Sequence, residues 1–351
     1  MSWIKPRSAS LPCALRTGLG RIAYFGASVT AQKQGYRPAL HRKLVPYFGR
    51  PHLPINAGIG GIGMVGGVFL MDDMVIAHRP DFCFIDFSSA DYSGTLPLGE
   101  SAAALEGALR KLAAIGCPAC ILHLYRDDID YSQTPPIVAA FDEVAAHYGV
   151  PSLHVGQYLA RKFAAGCIRR ADLLKDVVHL SERGAEQVAE VIFGAVRGMW
   201  ATPGGPQAPA PTPLHSNHYQ STRITPVAEV VRAENGWFPL GRLGESYDFA
   251  YFGAGQEFAV ECQGPLAGML VVVGPDSGVM DVEGQRIQLW DRWCVYERLQ
   301  TVVFWPPFPP GIPVHIRLTD APVDYSTARD PAFAGLDGVK SLKVIGFLEK
   351  K

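Results

Sequence analysis

Three residues of this chain have the types and the order that activate a serine hydroxyl: Ser28, Asp176 and His179. A serine hydroxyl is a poor nucleophile near neutral pH. It needs an adjacent base to take its proton, and an imidazole serves best when a carboxylate fixes its tautomer. The stretch Asp176-Val177-Val178-His179 carries carboxylate and imidazole three positions apart, so one short loop can present both. Ser28 stands in Gly26-Ala27-Ser28, directly after the apolar run Arg21–Phe25. A serine after a strand is by itself an ordinary helix cap, and a lone Asp–His pair an ordinary surface pair. Their joint occurrence in this order points to covalent acyl chemistry.

The elements that must bring these residues together lie on one side of a proline-rich break. Residues 201–216 gather Pro203, Pro206, Pro209, Pro211 and Pro213 around Gly204-Gly205. That composition supports neither helix nor sheet pairing, and it predicts a linker between a domain at 18–200 and another at 217–351. Before the break, the apolar runs Arg21–Phe25, Leu53–Ala57, Phe82–Phe87, Ala119–Tyr125 and Pro151–Val155 alternate with amphipathic stretches. Pro38 opens one such stretch, Ser101 caps a second that Gly116 ends, Pro136 starts a third that Gly149 ends, and Ser181 caps the last. Alternation of this kind predicts a parallel sheet with helices on both faces, a three-layer α/β/α domain. After the break the runs are short: Val227–Val231, Tyr247–Tyr251, Phe258–Cys262, Met269–Val273, Ile287–Trp290, Val302–Trp305 and Val314–Leu318. Glu283-Gly284 suits a hairpin turn and no long helical pattern intervenes, so an all-β sandwich of jelly-roll type is expected.

Parallel α/β sheets collect their chemistry at the carboxyl edge. Ser28 follows the first predicted strand, Asn56-Ala57-Gly58-Ile59-Gly60-Gly61 the second, and Ser88-Ser89-Ala90-Asp91 the third; Asp176–His179 precedes the last helix. This order resembles the SGNH/GDSL hydrolase family over about residues 20–200. The family's final Asp-x-x-His block with a following glycine matches Asp176, His179 and Gly184, and its Asn-x-x-x-x-Gly block matches Asn56 and Gly61. The resemblance implies a flavodoxin-like domain in which Ser28 is the nucleophile, His179 the base and Asp176 its orienter. It also implies an oxyanion hole from the N–H groups of Ser28 and Gly61. Two positions depart from the pattern: Ala27 replaces an Asp beside the nucleophile, and Ala90 replaces an Asn whose amide would donate to the oxyanion. The hydroxyl of Ser88 or Ser89 is a candidate substitute donor. The implied activity is a serine esterase removing acyl, chiefly acetyl, groups from a carbohydrate or other small ester. The same residues would also serve a carbohydrate O-acetyltransferase, and loss of catalysis would leave a glycan-binding or assembly protein. No metal or organic cofactor is implied. The α/β-hydrolase elbow fits less well, because it needs glycine where Thr30 stands.

The remaining signals narrow the field. Hydrophobic residues make up 48% and charged ones 19% of 351, enough for substantial cores in two domains. A formal net charge of −1 gives no field to attract nucleic acid. No apolar run is long enough to span a bilayer, and the N-terminal residues lack the apolar core of a secretory signal, so a cytoplasmic protein is expected. Seven scattered cysteines do not form a disulfide framework, and Cys117-Pro118-Ala119-Cys120 precedes a strand where a redox motif would open a helix. The glycine-rich Gly58–Gly67 stretch lacks the dinucleotide-binding spacing. His123 and His154 fall at strand ends as satisfied polar residues. Trp237, Trp290, Trp293 and Trp305 serve the core of the second domain or, where exposed, as platforms for sugar rings.

Overall fold

The central apolar runs of the first half become strands buried on both faces, which is why they read as continuous and not alternating, whereas Leu53–Ala57 forms an edge strand exposed at its start. The computed structural model describes residues 4–5, 20–92, 96–201, 210–231, 234–239, 246–328 and 338–351. Its first sheet contains β1 (Ile4–Lys5), β2 (Arg21–Gly26), β3 (Leu53–Gly58), β4 (Phe82–Asp86), β5 (Ala119–Leu122) and β6 (Ser152–Leu153), in the order β1-β6-β5-β4-β2-β3. Strands β2 to β6 are parallel, and β1 pairs antiparallel with β6. The parallel part has the flavodoxin-like order that was expected.

Helices connect the strands: α1 (Ser28–Ala31), α2 (Tyr36–Phe48), α3 (Met64–Met74), α4 (Ser88–Asp91), α5 (Leu98–Ala114), α6 (Pro136–Tyr148), α7 (Val155–Ala164), α8 (Arg170–Leu173) and α9 (Glu182–Ala201). On one face Tyr24, Phe84 and Leu122 of the sheet pack with Leu40 and Leu44 of α2, Leu159 of α7, and Val188, Ile192 and Trp200 of α9. On the other, α3 lies so close that a Cβ on Gly67 would sit 2.6 Å from Phe87 and 3.3 Å from Phe25. Ser181 caps α9 as expected, its Oγ accepting from the Gly184 N–H at 2.9 Å. Ser101 does not cap a helix; it lies inside α5, which starts earlier behind Pro97. Helix α3 is not legible in the sequence because nine of its eleven residues are buried and no polar face marks the period.

The proline-rich stretch also differs from the expected linker. Pro203, Pro206 and Pro209 lie outside the described residues, but residues 210–220 are strapped along α5 and belong to the first unit, which ends at Gln220. Glu106, wholly buried, accepts from the N–H groups of Leu214 (2.6 Å) and His215 (2.8 Å), from His215 Nδ1 (2.6 Å) and from the Tyr148 hydroxyl (2.6 Å). Glu100 accepts from Asn217 and the Tyr219 hydroxyl, each at 2.6 Å. Gly107 has to be glycine, since a Cβ there would fall 2.4 Å from the Tyr219 carbonyl carbon. The expected start of the second domain at residue 217 therefore falls inside this strap.

The second unit begins with β7 (Thr222–Pro226), α10 (Val227–Val230) and β8 (Glu234–Pro239). Eight strands follow: β9 (Ser246–Gly253), β10 (Glu257–Val260), β11 (Leu266–Val273), β12 (Val279–Val282), β13 (Gln285–Gln288), β14 (Arg298–Phe308), β15 (Val314–Thr319) and β16 (Ser341–Lys350). They pair as β9 with β16, β10 with β15, β11 with β14 and β12 with β13, a hairpin rolled into two antiparallel sheets. That is the jelly roll. Glu283 (φ 49°) and Gly284 (φ 82°) form the two-residue turn at its tip, as their left-handed backbone allows. Val227–Val231 is not a strand: Pro226 starts the short helix α10 there. Trp290 is buried in the sandwich core, whereas Trp305 is 43% exposed. Trp293 is half-buried beneath Arg292, and the Trp237 side chain lies outside the described residues.

At the carboxyl end of β4, Asp86 is completely buried and accepts from Thr30 Oγ1 (3.1 Å) and Ser89 Oγ (3.3 Å). Burial outweighs both hydrogen bonds and raises its carboxyl to about 7. The folded state therefore holds this proton while the unfolded chain has already released it. Stability from Asp86 is full below about pH 4 and is lost as pH rises towards about 7. Asp86→Asn should flatten this slope in melting curves from pH 4 to 8, gaining on the wild type as pH rises; parallel curves would contradict the assignment. For the strap, Glu106→Ala leaves two backbone donors without their acceptor. It should cost about 2–4 kcal/mol in thermal unfolding and speed proteolysis within 210–220. Unchanged melting and cleavage would mean that the strap adds nothing.

Candidate active site

Strand β2 turns into α1 at Gly26, where a Cβ would lie 2.4 Å from Thr30 Oγ1 and 2.6 Å from the Asp86 carbonyl. Only glycine lets the strand and helix meet this closely. The turn brings Ser28 to the first position of α1, at the carboxyl edge of the sheet. The second glycine-rich segment packs directly on this helix, since a Cβ on Gly58 would fall 2.4 Å from the Ala31 nitrogen. A Cβ on Gly60 would stand 3.9 Å from Ser28 Cβ, and Gly61 adopts the left-handed backbone (φ 78°). Asn56 serves this turn, its Oδ1 accepting from the Gly58 N–H at 3.1 Å.

The segment before α9 folds back on itself. Leu174 bridges Leu180, the Lys175 N–H donates to the His179 carbonyl (2.8 Å), and the Ser181 N–H donates to the Leu173 carbonyl (2.9 Å). Gly184 completes the fold-back, because a Cβ there would be 2.0 Å from the Leu173 carbonyl oxygen. Gln32, directly after α1, ties the loop to the Ser28 helix: its amide accepts from the Leu180 N–H and donates to the Leu180 carbonyl, both at 3.1 Å. No sequence motif marks Gln32 for this role.

These supports bring the three predicted residues together. His179 Nε2 lies 2.9 Å from Ser28 Oγ, and His179 Nδ1 lies 2.9 Å from Asp176 Oδ2 and 3.1 Å from Oδ1. Asp176 Oδ1 also accepts from the backbone N–H groups of Val178 (3.0 Å) and His179 (2.9 Å). Partial burial pushes the Asp176 carboxyl up, but hydrogen bonds from both backbone N–H groups and the His179 side chain outweigh it and hold it at about 2. An ionised carboxylate beside Nδ1 keeps the proton on that nitrogen. The Nε2 lone pair then faces the serine hydroxyl and can take its proton.

The third segment is arranged differently from the sequence expectation. Ser88 and Ser89 are both buried: Ser88 Oγ lies 3.0 Å from His123 Nδ1, and Ser89 Oγ donates to Asp86. Both hydroxyls are thus engaged behind α4, while Ala90 is half-buried on it. Asp91, unassigned from sequence, accepts from the Met64 N–H at 3.1 Å through both carboxylate oxygens, and so fixes the start of α3 beside the Gly60-Gly61 turn. Arg126 donates to the Ser89 carbonyl (2.8 Å), stacks over Tyr92 and pairs with Asp128. Its neighbour Asp127 donates its N–H to the Val177 carbonyl (2.9 Å), linking this segment to the Asp176–His179 loop.

No family model matches the chain, and no curated protein sequence is significantly similar to it. Among solved structures, a two-domain esterase active on acetylated mannans superposes with a TM-score of 0.75 at 17% identity, covering 97% of this chain and 96% of the other. The same kind of esterase co-crystallised with mannopentaose gives a TM-score of 0.73 at 17% identity, over 94% of this chain and 90% of the other. The likeness spans both units. Among the described residues no helix is long and apolar enough to cross a membrane. The chain shares the fold of this two-domain esterase: an α/β domain carrying Ser28, Asp176 and His179 at one edge, followed by a jelly roll.

Proposed function

We propose that this protein is a serine esterase that removes acetyl groups from carbohydrate hydroxyls. The observation that carries the reading is the chain of contacts from Asp176 through His179 to Ser28, with 2.9 Å at each end. Ser28 Oγ attacks the ester carbonyl while His179 Nε2 takes its proton. The resulting imidazolium is stabilised by Asp176 and returns the proton to the departing sugar alcohol. Water then repeats the sequence on the acyl-enzyme. The N–H groups of Ser28 and Gly61 receive the oxyanion. The left-handed backbone of Gly61, which directly follows the Gly60 that faces Ser28, supports that role, and the engagement of the Ser88 and Ser89 hydroxyls elsewhere argues against theirs. Acetylated glycans are favoured as substrates by the likeness, across both units, to an esterase active on acetylated mannans.

Ser28→Ala should lower kcat/KM on p-nitrophenyl acetate and acetylated mannan by on the order of 1,000-fold or more, with a melting temperature near that of the wild type. Asp176→Asn should lose a comparable factor with little change in KM. A Ser28→Ala variant retaining more than about a tenth of the activity would overturn the assignment. An acetylated sugar appearing faster than free acetate when acceptor sugar is added would instead identify an O-acetyltransferase.

Ala90 supplies no side-chain donor, so the oxyanion hole is one hydrogen bond short. Ala90→Asn should raise kcat about tenfold or more, since one such donor is worth about 2.7–4 kcal/mol. A fall in kcat would show that another group already occupies this position.

A further inference from the structure

We propose that His123, Asp142 and His154 form a buried zinc site behind the third segment of the α/β domain. His123 directly follows β5 and His154 directly follows β6, and these neighbouring parallel strands pair Ile121 with Ser152 and Leu122 with Leu153. The two histidines thus continue one register, and the His123 N–H is held by the Leu153 carbonyl at 2.9 Å. Asp142 reaches them from α6. The three side chains are 3%, 6% and 7% exposed for His123, His154 and Asp142, and their potential ligand atoms all lie within 4.8 Å of one another.

The spacing is close to that of a coordination shell, with His154 and Asp142 drawn in to hydrogen-bond distance. A tetrahedral zinc ion with bonds of 2.0–2.2 Å keeps neighbouring ligand atoms about 3.3–3.6 Å apart. His123 Nε2 lies 3.5 Å from Asp142 Oδ1, and His154 Nε2 lies 3.2 Å from Oδ1 and 2.9 Å from Oδ2. Small movements of the side chains would seat an ion between them. The outer contacts match those that orient metal ligands: Ser88 Oγ stands 3.0 Å from His123 Nδ1, leaving Nε2 to face the site, and Ser152 Oγ donates to Asp142 Oδ1 at 2.6 Å. Two imidazoles and one carboxylate select a first-row transition ion over magnesium or calcium. Water fills the fourth position. The ion staples the ends of β5 and β6 to α6 and, through Ser88, to α4. It takes no part in the reaction proposed above, and its presence is independent of that reading.

The test is metal counting on the purified full-length protein after incubation with Zn2+ and removal of unbound ions. About one zinc per chain is expected, with a melting temperature that falls by several degrees on chelation and recovers on adding Zn2+ back. A His154→Gln, Asp142→Asn double variant should retain none. Because buried substitutions can impair folding, Co2+ loaded into the wild type gives a second readout: a visible ligand-field spectrum typical of four-coordinate nitrogen and oxygen donors. Folded wild-type protein that binds no Zn2+ and melts identically with and without chelator would overturn the proposal. So would equal zinc content in the folded double variant.

Discussion

The carboxyl edge of the α/β domain depends on one clamp, the pair of hydrogen bonds between the Gln32 amide and the backbone of Leu180. Ser28 and His179 are far apart in sequence and sit on unrelated elements. The nucleophile belongs to a one-turn helix after β2, and the imidazole to a fold-back loop before α9. A hydrogen bond between serine and histidine is weak when both must be ordered for it. Here the ordering is done by a neighbouring residue on each side, so the 2.9 Å contact between them forms without further loss of freedom. The glycines act in the same way. Gly26, Gly58 and Gly184 are places where backbones approach within distances that no Cβ would tolerate, and each lies on a segment that carries or faces a residue of the proposed triad.

Behind this edge the domain carries more buried polarity than a packing core requires. Asp86, Ser89 and Thr30 form one hydrogen-bonded group under α1, and Ser88, His123, Asp142, Ser152 and His154 form a second between β5, β6 and α6. Buried polar networks are costly when incomplete and rigid when satisfied. Both meet at α4, where Ser88 joins one and Ser89 the other. The helix that carries Ala90 is therefore held from behind by two networks. With its serines committed in this way, the proposed oxyanion hole is left to backbone N–H groups.

The parts of the site legible in sequence were those encoded by short motifs. Asp176 and His179 share one loop, Gly184 follows at a fixed interval, and Ser28 closes a strong apolar run, so their meeting could be anticipated without a fold. What escaped depends on through-space contacts between distant residues. Gln32 and Asp91 look like ordinary surface residues until Leu180 and Met64 are set beside them. Asp142 sits on a regular amphipathic helix, and only the register of β5 and β6 brings His123 and His154 to it. The docking of the proline-rich stretch escapes for a related reason: its composition speaks against regular structure but says nothing of docking, and Glu106 and Arg110 on α5 capture its second half while Glu100 holds the residues just after it. In the jelly roll, the turn at Glu283-Gly284 was legible. Strand β16, buried along nearly its whole length and placed between β9 and β11, carried Lys343 and Glu349 that masked it. Those two charges are paired with Asp276 and Glu297, and with Arg223.

The central claim is that Ser28 carries the acyl group during turnover. Its most direct test is mass spectrometry of the protein quenched in acid during turnover of p-nitrophenyl acetate, followed by peptide mapping. The account predicts one acetyl group on the peptide containing Ser28, absent from Ser28→Ala and accumulating when Asp176 is replaced by Asn if deacylation becomes slow. Acetylation of another residue in a protein that still turns over, or turnover with no covalent adduct at any time point, would contradict it.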